Sequence, residues 1–351
     1  MSKKTSISSI GEFGLIEKIK ANLLKGPFTR SGPGDDCAVI SPQNGEYLVS
    51  TDTLVEGIHF DNSYMSLEHV GYKSVVSNVS DIFAMNGTPL HITVSIGVSE
   101  KYSVEDIENL YSGINKACSK YNVDVIGGDI SSSFSGLVIT ITIVGHQEAK
   151  NIVYRSGAQE NDLIVVSGNL GSAYLGLQVL LREKEVFGRS ETKTNLTSDI
   201  KSQIQKNLEL VERQIKPEAR KDVINYFKEN KIKPTSMIDV SDGLSSDLLH
   251  LARSSNVSVC IYENKIPISK NAIKFCDEIS INPTIVALSG GEDYELLFTI
   301  NQRDFNKIKD VPGLTIIGKI GSSKKTNKVI LLNGDEINLE KIGWDHFSDK
   351  K

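Results

Sequence analysis

Cysteine is scarce in this sequence. Its 351 residues hold four, Cys37, Cys118, Cys260 and Cys276, far apart and without a CxxC pair. That spacing excludes a zinc knot and a disulfide framework, and buried free thiols are expected. No apolar run approaches the roughly 18 residues of a membrane span. The opening Met1-Ser2-Lys3-Lys4-Thr5-Ser6 leads into amphipathic sequence (Phe13, Leu15, Ile16, Ile19) without an apolar signal core or a small-residue cleavage site, so the expected location is the cytoplasm. The formal net charge is -5, and no stripe of Lys and Arg with interleaved aromatics exists, which excludes a nucleic-acid surface. Basic residues concentrate in Arg213 to Lys231, expected as solvated helix. Familiar catalytic motifs are absent too: no GxGxxG, HRD, DFG, GxSxG or HExxH. Gly313 to Lys319 has GxxxxGK spacing, but Ile320 replaces the required Ser or Thr, and the apolar Leu314-Thr315-Ile316-Ile317 reads as a strand.

What is present suits an ordinary globular protein, with 39% hydrophobic, 24% charged and 7% aromatic residues. The length favours two domains, each with ample core. In the first, expected over 1–150, the β-branched runs Tyr47 to Val55, Ile92 to Val98 and Leu137 to Val144 read as strands. Tyr72, Val75, Val76, Val79, Ile82 and Phe83 mark one apolar helical face, while Asn78 and Asp81 share another. Ser103, with Asp106 three positions on, is an N-cap for a helix through Ile107, Leu110, Ile114 and Cys118.

Polar sequence over 146–162 places the domain boundary there, and the second domain is expected over 151–351. It opens with a strand from Leu163 to Val166, a glycine turn and a helix through Tyr174, Leu175 and Leu177. Residues 182–210 are charged and weakly apolar, an exposed helix pair or a long connection matching no motif. A loop and helix at Asp239 to Ala252 follow, then strands at Val257 to Tyr262, Glu295 to Ile300 and Leu314 to Ile320.

Aspartates in loops and at element ends carry the functional signal. Asp35 and Asp36 follow Gly32-Pro33-Gly34, Asp52 interrupts a strand, Asp129 follows Gly127-Gly128, and Asp239 and Asp242 precede Gly243. Each Asp beside a Gly, taken singly, is turn or cap chemistry. Turn chemistry explains neither Asp52 within an apolar strand nor Asp81 within a helix. Glycine lets backbone approach a bulky anion while carboxylates bind a hard cation, so the pattern suggests phosphate and Mg²⁺. Two bare carboxylates ~4 Å apart would repel by about 4 kcal/mol at an effective dielectric of 20, which cations would relieve.

In order along the chain, Gly11-Glu12-Phe13, Gly34-Asp35-Asp36, Ser50-Thr51-Asp52-Thr53-Leu54, Asn78-Val79-Ser80-Asp81, Gly127-Gly128-Asp129, Arg155-Ser156-Gly157-Ala158, Asp239-Val240-Ser241-Asp242-Gly243-Leu244, Gly291-Glu292-Asp293-Tyr294-Glu295-Leu296 and Gly343-Trp344-Asp345-His346-Phe347 resemble the signature of the thiamine-monophosphate kinase family. Its superfamily includes aminoimidazole ribonucleotide synthetase, selenophosphate synthetase and a hydrogenase maturation factor. Pro33 departs from the hydrophobic residue common there, and Trp344 from the common Phe. The resemblance implies an α/β (α+β) fold of two domains. The N-terminal mixed-sheet domain would bind ATP and Mg²⁺ and pair into a β-barrel in a homodimer, with the ATP site in the cleft before the C-terminal α/β domain.

By the same resemblance, Asp36, Ser50, Thr51, Asp52, Asp81, Asp129, Asp239 and Asp242 hold several Mg²⁺ ions. Tyr111, Gly128, Asp129, Arg155 and Ser241 bind ATP, and Asp129, Arg155 and Asp242 are catalytic. His59, Glu292 and Trp344 contact thiamine monophosphate. An indole face would also attract the fixed charge of the thiazolium by ~0.5 to 2 kcal/mol.

The implied reaction moves the ATP γ-phosphoryl group to thiamine monophosphate directly and in line. The acceptor phosphate, with a second pKa near ~6, is already anionic, so a general base is dispensable. Sister activities are the alternative. A selenophosphate synthetase is expected to carry a reactive N-terminal Cys, and none precedes Cys37; the hydrogenase factor ends in a cysteine, whereas this chain ends Phe347-Ser348-Asp349-Lys350-Lys351. A cyclising synthetase would share the metal chemistry, leaving substrate choice to His59, Glu292 and Trp344. A silent Mg²⁺ and nucleotide sensor is the reading from another class, and aspartates at every matched position weigh against it.

Overall fold

Runs of Val, Ile and Thr at alternating positions become strands, and the chain divides into two units, Met1–Ile152 and Val153–Lys351. The computed structural model describes residues 5, 9–10, 15, 18–23, 29–31, 39–40, 44–189, 204–323 and 326–339, with the side chains of 29–31, 39–40 and 187–189 excepted. Asp36, Cys37 and Trp344 lie outside the described residues.

In the first unit, β1 (Thr29–Ser31) and β2 (Val39–Ile40) pair as a short ribbon. β3 (Glu46–Val55), β4 (Thr88–Val98), β5 (Asp124–Ser132) and β6 (Leu137–Gln147) form a mixed sheet in the order β3-β6-β4-β5, with only β4 and β5 parallel. Ile139, Ile141 and Ile143 of β6 are fully buried on one face, each contributing about 1.5–3 kcal/mol. The helix Leu67–Ala84 packs on the sheet and against the helix Val104–Tyr121. Ser103 and Asp106 form the expected capping box. Glycine sets the helix spacing: a Cβ on Gly113 would fall 1.8 Å from the Glu68 carbonyl oxygen, and one on Gly71 2.0 Å from that of Leu110. Covered on two sides, the Leu67–Ala84 helix buries Ser74, Ser77, Asn78 and Ser80 as well as its apolar stripe.

The second unit holds β7 (Leu163–Ser167), β8 (Ser236–Val240), β9 (Ser258–Tyr262), β10 (Glu295–Ile300), β11 (Leu314–Gly321), β12 (Lys328–Ile330) and β13 (Glu336–Asn338). They form one sheet in the order β13-β12-β9-β11-β7-β10-β8, with only β12 and β9 parallel. Leu244, Leu248 and Leu251, at helical spacing on Leu244–Ser255, pack with Ile164, Val166, Val240 and Leu297 in its core. Gly313-to-Lys319 runs into β11, as its apolar content indicates, and not into a phosphate loop. The helix Ser172–Arg189 takes up the start of the 182–210 stretch, and the helix Leu208–Ile215 its end. Cys118 and Cys276 are buried free thiols, while Cys260 is only half-buried. No described helix is long and apolar enough to cross a membrane.

Candidate active site

Ser50 and Asp52, two residues apart on β3, project from the face that the Leu67–Ala84 helix covers. Ser77 and Asp81, four apart, share one side of that helix. Ser50 Oγ donates to Asp81 Oδ2 at 2.5 Å, while Ser77, whose hydroxyl donates to the Ser74 carbonyl at 3.1 Å, lies beside Asp52. Burial first, then the charge of Asp81, pushes the Asp52 carboxyl up to about 6 against the opposing pull of the nearby Ser77.

Thr51 points the other way, its hydroxyl 2.9 Å from that of Thr142, just as Thr53 lies 2.9 Å from Thr140. Asp129 belongs to that opposite face, at the far end of the row Thr53, Thr140, Ser95, Asp129. Three strand spacings, roughly 14 Å, separate the ends of such a row. The sheet therefore gathers Ser50, Asp52 and Asp81 but neither Thr51 nor Asp129 with them. Gly127-Gly128-Asp129, expected as a loop, is the middle of β5. Glycine is needed at 128 for close approach: a Cβ there would sit 2.0 Å from the Val94 carbonyl oxygen.

His59 lies in the turn after β3, where its Nδ1 accepts from the Val55 backbone N–H at 2.9 Å. In the neutral imidazole this leaves the proton on Nε2. The turn is braced by Glu56, which accepts from Lys101 Nζ, the Tyr102 hydroxyl and the Leu137 N–H. Tyr111 is buried, which pushes its phenol above the usual range. It lines an open cavity of about 530 Å³ with Lys18, Asn22, Glu108, Asn115 and Lys116, and no other candidate is among the lining residues.

In the second unit Asp239 is a residue of β8, paired with Leu296, and not of a loop. Ser241 and Asp242 follow, and Gly243 opens the Leu244–Ser255 helix. Asp247, in the first turn, accepts the Asp242 N–H at 3.2 Å. Burial, then the charges of Asp239 and Asp242, pushes its carboxyl up to about 8. Arg155 is exposed, and its carbonyl accepts from Ser255 Oγ at 3.2 Å.

The Gly291-to-Leu296 segment is held from several sides. Glu292 and Tyr294 adopt φ of 64° and 51°, a region costly for side-chain-bearing residues. Their N–H groups donate to the carbonyls of Ser241 at 2.8 Å and Val240 at 2.9 Å. Between them, buried Asp293 accepts from the N–H groups of Gly171 at 2.6 Å and Ala173 at 3.2 Å, at the start of the Ser172–Arg189 helix. Burial pushes its carboxyl up to about 7, with Arg213 opposing. Glu295, 1% exposed, accepts from Ser167 at 2.5 Å and from Arg213 and Arg220 at 2.7 Å each. Arg213 and Arg220, expected on a solvated stretch, thus turn inward, because Glu295 would otherwise be a bare buried charge.

A family model, "AIR synthase related protein, N-terminal domain", matches residues 34–147. Over 341 residues, 97% of this chain and 99% of the relative, the sequence is 35% identical to the thiamine-monophosphate kinase of Aquifex aeolicus (strain VF5). The chain belongs to the thiamine-monophosphate kinase family. The thiamine-monophosphate kinase of Bacillus subtilis (strain 168) is 34% identical over 342 residues, 96% of this chain and 99% of that one. A solved structure of AaThiL complexed with AMPPCP and TMP has a TM-score of 0.73 at 33% identity, covering 99% of this chain and 100% of that one.

Among the described residues of this family member, no three His, Cys, Asp or Glu side chains form a metal cage. Ser50, Asp52 and Asp81 nevertheless fit Mg²⁺, an oxygen-preferring ion that uses one or two carboxylates and completes its shell with water and substrate phosphates. Burial, and then the nearby charge of Asp81, raise the Asp52 carboxyl, so a cation bound there would relieve both costs. Reading the sequence missed Ser77, Gln214 and Asp247. Asp247 had a visible signal, an acid in the first turn after Asp242-Gly243, but it passes for ordinary helix-start chemistry. Ser77 and Gln214 had none, because the carboxylates beside them lie 25 or more residues away.

Proposed function

We propose that this protein transfers the γ-phosphoryl group of ATP to the phosphate of thiamine monophosphate, giving thiamine diphosphate and ADP in the cytoplasm. The observation that carries the reading is 35% identity to a thiamine-monophosphate kinase along 97% of the chain.

Within it, Ser50, Asp52 and Asp81 hold one Mg²⁺, and Asp36, Thr51, Asp129, Asp239 and Asp242 are assigned to further ions. Bound Mg²⁺ neutralises phosphate oxygens and helps align them. Tyr111, Gly128, Asp129, Arg155 and Ser241 are assigned to ATP, with Arg155 countering charge at the transferring group. His59, Glu292 and Trp344 receive thiamine monophosphate, His59 as an Nε2–H donor to its phosphate. The acceptor oxygen is anionic at neutral pH, so no residue need remove a proton and transfer is in line.

The sheet of the first unit supports the reading of a homodimer. Both β3 and β5 end that sheet with one side unpaired among the described residues, and its hydroxyl-rich face carries Thr51, Thr53, Thr140 and Thr142. Pairing edges between two copies would close an eight-stranded barrel and remove those edges.

The test is ADP release from ATP and Mg²⁺ with thiamine monophosphate, thiamine, an aminoimidazole precursor or selenide as acceptor. Release with thiamine monophosphate alone, abolished by chelator, is expected. Turnover of another acceptor in its place would reassign His59, Glu292 and Trp344, and labelled phosphate retained on the protein would overturn direct transfer.

A further inference from the structure

The helix Leu208–Ile215 ends the charged stretch to which no motif gave a role, and its last turn reaches the Glu292 loop. Gly176 allows this. A Cβ there would fall 2.0 Å from the Leu210 carbonyl oxygen and 3.0 Å from Gln214 Cβ, so two helices meet backbone to backbone and seat Gln214 with 4% exposure. Gln214 Nε2 donates to Glu292 Oε2 at 2.8 Å. A carboxylate only accepts, which fixes the amide orientation and puts Oε1 on the other arm. That Oε1 is buried and has no hydrogen-bond partner among the described residues.

A buried carbonyl without a donor is costly and calls for an explanation. The adjacent Arg213 is committed elsewhere, donating to the Asp293 carbonyl at 3.0 Å and to Glu295 at 2.7 Å. What Gln214 and Glu292 offer side by side is therefore acceptors, a carbonyl and a carboxylate. Two adjacent acceptors complement an –NH₂ group, which has two hydrogens to donate.

We propose that Gln214 is a specificity-determining residue, which orients the Glu292 carboxylate through its amide and offers its carbonyl to the amino group on the pyrimidine ring of the acceptor substrate. This rests on the reading of that substrate as thiamine monophosphate. An analogue with an oxo group in place of the amino group would set acceptor against acceptor, and such mismatches at buried polar sites are strongly rejected.

The experiment compares kinetics of the full chain and of Gln214→Met, similar in length but unable to hydrogen-bond strongly, with thiamine monophosphate and its 4-oxo pyrimidine analogue. The parent is expected to favour the amino substrate at least about tenfold in kcat/KM. In Gln214→Met the KM for thiamine monophosphate rises about tenfold, the KM for ATP stays, and the preference shrinks toward parity. Should that variant not fold by circular dichroism, Gln214→Asn, which keeps the amide but cannot reach, is expected to show the same split. A folded variant with unchanged KM and preference, or with both KM values raised alike, overturns the proposal. If the parent turns over no thiamine monophosphate, the functional reading fails and takes this proposal with it; if the parent is active and the variant matches it, this proposal alone fails.

Discussion

The backbone N–H of Glu292 donates to the carbonyl of Ser241 across 2.8 Å. The loop assigned to the acceptor substrate and the loop assigned to the nucleotide are thus hydrogen-bonded to one another, and Glu292 reaches this bond only in a left-handed conformation with φ of 64°. Glycine adopts that conformation freely, but Glu292→Gly also strips the buried Gln214 amide of its acceptor, so the two effects are expected to offset and leave stability within about 1 kcal/mol of the parent. Its KM for thiamine monophosphate is expected to rise at least about tenfold, from loss of a charged partner. Urea unfolding and steady-state kinetics on one preparation check both; a destabilised variant with normal KM would make Glu292 structural.

Asp52 predicts a pH dependence of the metal-free protein. Burial and the charge of Asp81 push its carboxyl up to about 6 from the ordinary 3.8, so the folded state binds the proton more tightly. Stability is then greatest below the unfolded value, falls as pH rises toward 6, and stays reduced above it. Asp52→Asn is therefore expected to be more stable than the parent at pH 8 by up to about 3 kcal/mol, and to converge with it near pH 4. Mg²⁺ should raise the melting temperature of the parent at pH 8 but much less that of the variant, and the variant should lose turnover. Equal stability at pH 8 would remove the repulsion between Asp52 and Asp81 from the account.

His59 is held with Nδ1 as acceptor, 2.9 Å from the Val55 N–H. With Nε2–H as donor to a phosphate, His59→Ala should raise the KM for thiamine monophosphate about 10- to 100-fold, the range of a hydrogen bond to a charged group. The KM for ATP should be unchanged. A comparable rise for ATP would place His59 at the nucleotide instead.

Glu295 depends on two guanidinium groups, Arg213 and Arg220, each at 2.7 Å. Arg220→Ala leaves a buried carboxylate with half its counter-charge, and a loss of about 3 kcal/mol in stability is expected. Chemical denaturation at pH 7 measures it. A loss below about 0.5 kcal/mol, typical of surface ion pairs, would show the group to be well solvated.

Most elements could be read in the sequence because their signals are local. β-branched runs marked β3, β4 and β6, and the Ser103 and Asp106 pair marked its helix start within the observed capping box. β5 escaped because Gly127 and Gly128 look like a turn. The actual reason for Gly128 is the Val94 carbonyl of the neighbouring strand, a contact that exists only once β4 and β5 pair.

The candidate site divides along the same line. Residue types and their order along the chain determined by themselves that this is a thiamine-monophosphate kinase relative, rich in oxygen ligands, since carboxylate and glycine chemistry does not depend on where the residues end up. Tertiary structure alone decided that Ser50, Asp52 and Asp81 meet while Asp129 faces the other side of the sheet, that Arg213 and Arg220 turn inward, and that Gln214 grips Glu292. Strand parity, helix approach and the cost of a bare buried charge are properties of packed neighbours, and each becomes definite only when distant segments touch.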